Sequence, residues 1–318
     1  MAIPTTAARS RLRAIFRDSD GLYTSWSVLL FMVVTAAVLA VIGHVAFMLH
    51  HPLPMRLAMT PGRLIFTESA LVFSVLIATV AMGRIEHRSW LDYGWRGPGR
   101  AGLFGHGVLA GCVLMALLMG ALVVTHGARI HYDGGNGSLL ASGAAWVLGF
   151  ALVALTEETV FRGYLFFLLA KRGGPRFAAI TMSLAFGIAH LGNHGENVAG
   201  ILQVIAFSLV MCLSVWRTGS LWWAWGFHAA WDWSESFLFG AADSGNVMEG
   251  HLLTTYSVGP TWLSGGSAGP EGSLIALPLL ALMAVWITSV VSKKPRARVR
   301  DAATYRDMPA QDQAGLNG

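Results

Sequence analysis

The polar stretch 156–162 interrupts an apolar segment that runs over residues 139–170. It contains two adjacent carboxylates, Glu157 and Glu158, and the guanidinium of Arg162. A charged side chain at mid-bilayer costs roughly 2.5–3.5 kcal/mol on insertion scales, so charges in such a helix indicate either a functional site or structural pairing between helices. Glu158 and Arg162 are four residues apart and share a helix face, where they can pair. Glu157 is rotated by about 100° from Glu158, and we expect it to face a cavity.

Two further polar pairs follow in later apolar segments. Phe186 and His190 are four residues apart, and His228 and Asp232 repeat that spacing. A single histidine in a membrane helix often does no more than hydrogen-bond to a neighbouring helix. A carboxylate at i+4 can instead orient the imidazole for catalysis or metal binding. Glu235 lies three residues beyond Asp232 and has no role assigned from the sequence.

Composition sets the environment of these residues. The chain has 318 residues, of which 54% are hydrophobic and 12% charged, against about 25% charged residues in a typical soluble domain. We therefore predict an all-α, polytopic transmembrane helix bundle. Cys112 and Cys212 lie in apolar segments and are interpreted as buried hydrophobic residues. The net charge of +5 is distributed around the membrane, so no nucleic-acid partner is predicted.

About eight apolar segments are near the length that crosses a bilayer, which is about 20 residues. They cover residues 26–49, 64–82, 103–125, 139–170, 177–191, 198–215, 221–239 and 274–291. The predicted organisation is a basic tail at 1–25, one transmembrane domain at 26–291 and a basic tail at 292–318. The Gly-rich stretch 257–273 is predicted to be an irregular external loop.

Most of the 22 Lys and Arg residues fall in the two tails and in alternate loops. This bias predicts that the N- and C-termini are cytoplasmic. Glu157 and His190 each lie 14 residues from a cytoplasmic Lys or Arg, and His228 lies 11 residues from one. At 1.5 Å per residue the depths are about 21, 21 and 17 Å, so the three polar groups are predicted to lie at one level.

Three motifs, in this order along the chain, resemble those of the CPBP family of intramembrane proteases, also called ABI. They are Glu157-Glu158-x-x-x-Arg162, Phe186-x-x-x-His190 and His228-x-x-x-Asp232. That family includes the type II CAAX prenyl endopeptidases and bacteriocin-processing enzymes. The resemblance covers roughly residues 139–239, the motif core, and the stretch 89–96 is also similar to the family. Three motifs in order are far more specific than any one of them.

The resemblance implies an endopeptidase that cleaves a membrane-associated peptide, either CAAX-like or bearing a leader. It implies that Glu157 activates a water with the help of His190. It further implies that His228 and Asp232 stabilise the oxyanion while Arg162 braces the glutamates, Glu158 included. The implied partners are membrane lipid and a peptide or lipidated-protein substrate. The Ala- and Arg-rich composition suits a multi-pass protein of a bacterial inner membrane.

Asp232 departs from the family pattern, in which CAAX enzymes carry Asn. An ionised Asp cannot donate a hydrogen bond to an oxyanion, whereas Asn can. Asp232 is therefore protonated, or it orients His228, or the site holds a divalent metal such as zinc. Zinc would have Glu157, His190, His228 and Asp232 as ligands. The chain lacks the HExxH spacing of soluble zinc proteases, which favours a glutamate-based mechanism without a metal.

Two other classes of function remain open from the sequence. Intramembrane Glu, His and Asp residues also form the relays of proton- or ion-coupled transporters. The sequence shows no inverted repeat with paired broken helices, which many transporters have. A non-catalytic membrane scaffold is the third class, and the presence of every motif residue disfavours it.

Overall fold

The structure is a computed structural model that describes residues 17–18, 21–49, 60–132, 139–193, 195 and 197–289. The predicted tail at 292–318 and most of the tail at 1–25 lie outside these residues. The described helices are α1 Thr24–Met48, α2 Pro61–Ile85, α3 Arg100–Val124, α4 Leu139–Glu158, α5 Leu165–His190, α6 Val198–Thr218, α7 Trp222–Trp233, α8 Thr261–Ser264 and α9 Ala276–Ser289. Short 3-10 helices cover Trp90–Asp92 and Pro270–Gly272, and π-helical turns cover Thr159–Tyr164 and Ser234–Leu238.

The prediction of an all-α membrane bundle is confirmed. Five helical ranges are long and apolar enough to cross a membrane, and one of them is the 52-residue stretch Leu139–His190. The shorter helices α7 and α9 occupy the two remaining predicted segments. Each of the eight predicted apolar segments thus corresponds to helix within the described part of the chain.

The long stretch Leu139–His190 is interrupted at two glycines. Gly163 has non-helical angles inside the π-helical turn (φ −85°, ψ −121°). Gly174 has φ +82° and precedes Pro175, a conformation that residues with a Cβ rarely adopt. The break at Gly174 separates the two apolar segments predicted at 139–170 and 177–191. π-helical turns are frequent at functional sites. The turn that follows Glu158 therefore indicates that this part of the helix belongs to such a site.

Close packing of α3 against α7 depends on glycine. A Cβ at Gly107 would collide with the backbone oxygen of Trp223, and one at Gly111 with that of Phe227. Gly226 of α7 meets Phe104 of α3 in the same way. Small residues allow helix backbones to approach closely within a membrane, and here they fix the helix that carries His228.

The loop between α2 and α3 is tied to the π-helical turn through Glu86. Its carboxylate accepts hydrogen bonds from the hydroxyls of Tyr93, at 3.0 Å, and Tyr164, at 2.6 Å. Burial, together with the neighbouring Glu86 charge, raises the pKa of Tyr93. The stretch 89–96 therefore supports the segment that carries Arg162.

Two small antiparallel strand pairs accompany the helices. Arg17–Asp18 (β1) pairs with Gly21–Leu22 (β2). Ala128–His131 (β3) pairs with Thr254–Ser257 (β4), with Ala128 opposite Ser257. The segment between α7 and α9 therefore contains a strand, the helix α8 and a 3-10 turn, and it is more ordered than the irregular loop predicted at 257–273.

Candidate active site

A fully buried ion pair lies at the end of α4. Nη1 of Arg162 is 3.1 Å from Oε1 of Glu158, and both side chains are 0% exposed. This is the pair expected from their i,i+4 spacing. The guanidinium carbon also lies 4.3 Å from the centroid of the Phe186 ring, at cation–π distance. Arg162 thus links the glutamate pair to the helix that carries His190.

Glu158 also contacts α7. Nδ1 of His228 lies 2.8 Å from the same Oε1 that pairs with Arg162. A carboxylate held by a guanidinium is an acceptor only, so Nδ1–H of the imidazole donates to it. Glu158 therefore fixes the ring of His228, a role that the sequence offered as one of three alternatives for Asp232.

The other imidazole nitrogen faces two further carboxylates. Nε2 of His228 lies 3.6 Å from Oε2 of Glu157 and 3.5 Å from Oδ2 of Asp232. The side chains of His228 and Asp232 are 6% and 8% exposed, whereas that of Glu157 is 27% exposed. Glu157 is therefore the acid of this group that water reaches most easily, as its rotation away from Glu158 predicted.

His190 lies at the edge of the group. Its Nδ1 is 2.8 Å from the backbone oxygen of Phe186, and its ring centroid lies 4.4 Å from that of Phe186, with the two planes tilted by 47°. The Phe186 ring is in turn 6.4 Å from that of His228. Among the residues that the structure describes, no hydrogen bond or ion pair joins His190 to Glu157 or His228. Five of the six predicted residues thus form one connected cluster, and Phe186 stands between it and the sixth.

Two residues near the cluster were not predicted as part of the site. The first is Glu68 of α2, which accepts a hydrogen bond at 3.0 Å from Thr156, the residue before Glu157. The ring of Phe207 lies 5.0 Å from that of His228. An acid within a membrane helix was the available signal for Glu68, whereas nothing in the sequence distinguishes Phe207 from the many other apolar residues.

The zinc site considered from the sequence would take its ligands from Glu157, His190, His228 and Asp232. Zinc ligands bind at about 2.0–2.2 Å and so must converge on one point. Nδ1 of His190 bonds to the backbone oxygen of Phe186, which leaves Nε2 as the ring atom that could bind a metal. Within the described part of the chain, the three-residue group whose ligand atoms all lie within 4.8 Å of one another is Glu235, Asp243 and Glu271, which shares no residue with the proposed zinc set. No step proposed below passes through a metal.

Residues 139–234 match the family model described as "Type II CAAX prenyl endopeptidase Rce1-like". The matched range contains all six predicted site residues and corresponds to the motif core expected from the sequence. No curated protein and no solved structure matches the chain. The match agrees with the resemblance of the three motifs to the CPBP family, and it covers 96 of the 318 residues of this membrane protein.

Proposed function

We propose that this protein is an intramembrane endopeptidase that hydrolyses a peptide bond by direct attack of water, with Glu157 as the general base. The observation that supports this most strongly is the His228 imidazole, which is held by Glu158 on one side and lies 3.6 Å from Glu157 on the other. A base and a positioned hydrogen-bond donor are the two groups that water attack on an amide requires.

In the proposed reaction, Glu157 takes a proton from water while the water oxygen bonds to the substrate carbonyl carbon. The developing oxyanion is stabilised by Nε2–H of His228 in its doubly protonated, imidazolium form, whose Nδ1–H is already committed to Glu158. The proton then passes from Glu157 to the leaving nitrogen as the carbon–nitrogen bond breaks. The products are a new carboxyl group and a free amine.

The remaining residues have positioning roles in this proposal. Arg162 holds the charge of Glu158, and Glu158 in turn orients His228. Asp232 lies beside Nε2 of His228 and stabilises the ring when it donates to the oxyanion, so Asp232 itself need not donate. His190 keeps Nδ1 on the Phe186 carbonyl and directs the opposite edge of its ring to water or substrate.

The family description names a CAAX prenyl endopeptidase, so a prenylated C-terminal CAAX sequence is the first substrate class that we carry over to this chain. A membrane-associated leader-type peptide is the second, and it comes from the resemblance to the CPBP family. We propose a bacterial inner membrane on the basis of the Ala- and Arg-rich composition, and cytoplasmic termini on the basis of the charge distribution. The cluster then lies within the bilayer, where a lipidated peptide arrives laterally.

The substitution Glu157→Gln tests the proposal. It keeps the side-chain volume and removes the base, so cleavage should fall by about 10²–10⁴-fold, the contribution typical of a general base. The assay is cleavage of a farnesylated CAAX peptide and of a leader peptide by the purified full chain in lipid nanodiscs. Glu249→Gln is the matched control, because Glu249 is an exposed acid outside the site. Unchanged cleavage by Glu157→Gln would refute the assignment of the base.

A further inference from the structure

Three carboxylates form a second cluster beyond the end of α7. Glu235 lies in the π-helical turn Ser234–Leu238, Asp243 in the turn that follows it, and Glu271 in the 3-10 helix Pro270–Gly272. One carboxylate oxygen from each residue lies within 4.8 Å of those of the other two. Two segments that are distant in sequence thus bring three acids together.

Glu235 is buried without the partners that a carboxylate requires. It is 0% exposed, and neither side-chain oxygen accepts a hydrogen bond of normal geometry from the described residues. The backbone N–H of Glu271 approaches the carboxylate. Burying a carboxylate with so little compensation is unfavourable unless it is neutralised or bound to a cation. One of its oxygens lies within 4.8 Å of an oxygen from each of the two other acids, so a cation bound among the three would compensate its charge.

The other two acids are held in place by neutral donors. Oδ2 of Asp243 accepts from the hydroxyl of Ser236 at 3.1 Å. Oε1 of Glu271 accepts from the indole N–H of Trp231 at 3.0 Å, and its Oε2 from the hydroxyl of Ser244 at 3.3 Å. These bonds orient the carboxylates but supply no positive charge. No Lys or Arg in the described part of the chain forms an ion pair with Glu235 or Asp243.

The surrounding backbone fixes the two loops against each other. Gly245 N donates to Ala268 O at 3.2 Å. A Cβ at Gly269 would collide with the backbone oxygen of Ala242, so the chain passes at a distance that requires glycine. The cluster therefore lies at a junction of defined shape rather than on an open surface.

We propose that Glu235, Asp243 and Glu271 bind one divalent cation of the hard, oxygen-preferring class, with Ca²⁺ as the best fit. Ca²⁺ and Mg²⁺ take carboxylate oxygens, whereas zinc and copper sites use His or Cys, and neither residue type is present in this trio. Ca²⁺ accepts oxygens at 2.3–2.6 Å in flexible geometry, which suits ligands from two separate loops. The cation neutralises the buried Glu235 and fastens the end of α7 to the segment before α9.

This site is separate from the proposed catalytic cluster, although both involve α7. Glu235 follows Asp232 by three residues, and Trp231 bonds to Glu271. Cation binding is therefore expected to stabilise the helix that carries His228. The proposal does not depend on protease activity, because its tests measure binding and stability.

The first test measures thermal unfolding of the full chain in nanodiscs after removal of divalent cations with EDTA. CaCl₂ should raise the Tm by a few degrees in a saturable manner, and NaCl at equal ionic strength should not. Glu235→Gln should lose this response while remaining at least as stable as the wild type in EDTA, because the substitution removes an uncompensated charge. Glu249→Gln, which changes an exposed acid outside the cluster, should respond as the wild type does.

The second test measures binding directly and needs no variant to fold. Tb³⁺ replaces Ca²⁺ in oxygen sites, and the indole of Trp231, which touches the ligand Glu271, should sensitise its luminescence. We expect one site per chain, displaced by excess Ca²⁺. If Ca²⁺ neither raises the Tm beyond the NaCl control nor displaces Tb³⁺, the proposal is wrong. An undiminished calcium response in Glu235→Gln would also overturn it.

Discussion

Two Arg–acid pairs with the same i,i+4 spacing occupy opposite environments in this protein. Arg162 and Glu158 are both 0% exposed. The side chains of Arg96 and Asp92, by contrast, are 59% and 35% exposed in the loop between α2 and α3. The sequence shows the two pairs as equivalent, and burial separates their energetic roles. Removing one partner of a buried pair leaves an uncompensated charge, whereas an exposed pair contributes little.

Arg162→Met should therefore destabilise the protein by about 3–5 kcal/mol, and Arg96→Met by at most about 1 kcal/mol. The measurement is the unfolding free energy in a denaturant titration in mixed micelles. Adding Glu158→Gln to Arg162→Met should recover part of the loss, because it removes the isolated carboxylate. Equal losses from the two single substitutions would contradict the assigned role of Arg162.

At the residue scale, contacts within one helix could be predicted and contacts between helices could not. The Glu158–Arg162 pair and the separate direction of Glu157 follow from 3.6 residues per turn. The hydrogen bond from His228 to Glu158 spans 70 residues of sequence, and no local pattern encodes it. For the same reason the sequence did not point to Glu158 as a residue that orients His228, and it did not indicate that Phe186 separates His190 from the cluster.

At the scale of elements, the position of α7 depends on how closely it approaches α3. Gly107 and Gly111 meet the α7 backbone directly, and a backbone atom cannot move aside as a flexible side chain can. Gly120 in the same helix has nothing within 4 Å of its Cβ position. The three glycines therefore offer a comparison in which only the space next to the Cβ changes.

Gly107→Ala should lower stability by about 1–3 kcal/mol, the usual cost of overpacking, and should reduce cleavage because it displaces the helix bearing His228. Gly120→Ala should leave both nearly unchanged or raise stability slightly, since Ala favours helix. The readouts are the Tm and the peptide cleavage rate in nanodiscs. Similar behaviour of the two variants would show that the α3–α7 distance does not position the site.

The apolar segments were predictable as elements because their hydrophobicity and length are encoded locally. The points at which the helices are interrupted were harder to predict from the sequence. The Gly174–Pro175 break lies between two predicted segments, whereas the π-helical turn Thr159–Tyr164 has no signature in a generic apolar run. The pairing of β3 with β4 was not predicted, and Glu271 was part of a stretch expected to be irregular. A cluster that depends on Glu271 could not be found before the loop was placed.

At the scale of the whole molecule, the bundle brings three acids, a guanidinium and one imidazole to one place in a predominantly apolar chain. Helices α4 and α7 supply Glu157, Glu158, His228 and Asp232, and the π-helical turn supplies Arg162. The predicted depths placed the motif residues at one level in the bilayer. The contacts of His228 with three carboxylates agree with that prediction for α4 and α7.

The central claim is that Glu157 and His228, from different helices, act as one catalytic unit on an amide bond. A double-mutant cycle on kcat/KM tests this claim most directly. The variants are Glu157→Gln, His228→Gln and the double variant, each assayed on the farnesylated peptide. Residues that act as a unit are strongly non-additive. We therefore expect each single variant to lose about 10²–10⁴-fold and the double variant to lose no more than the worse single one. Multiplicative losses, or a wild-type rate in either single variant, would contradict the claim.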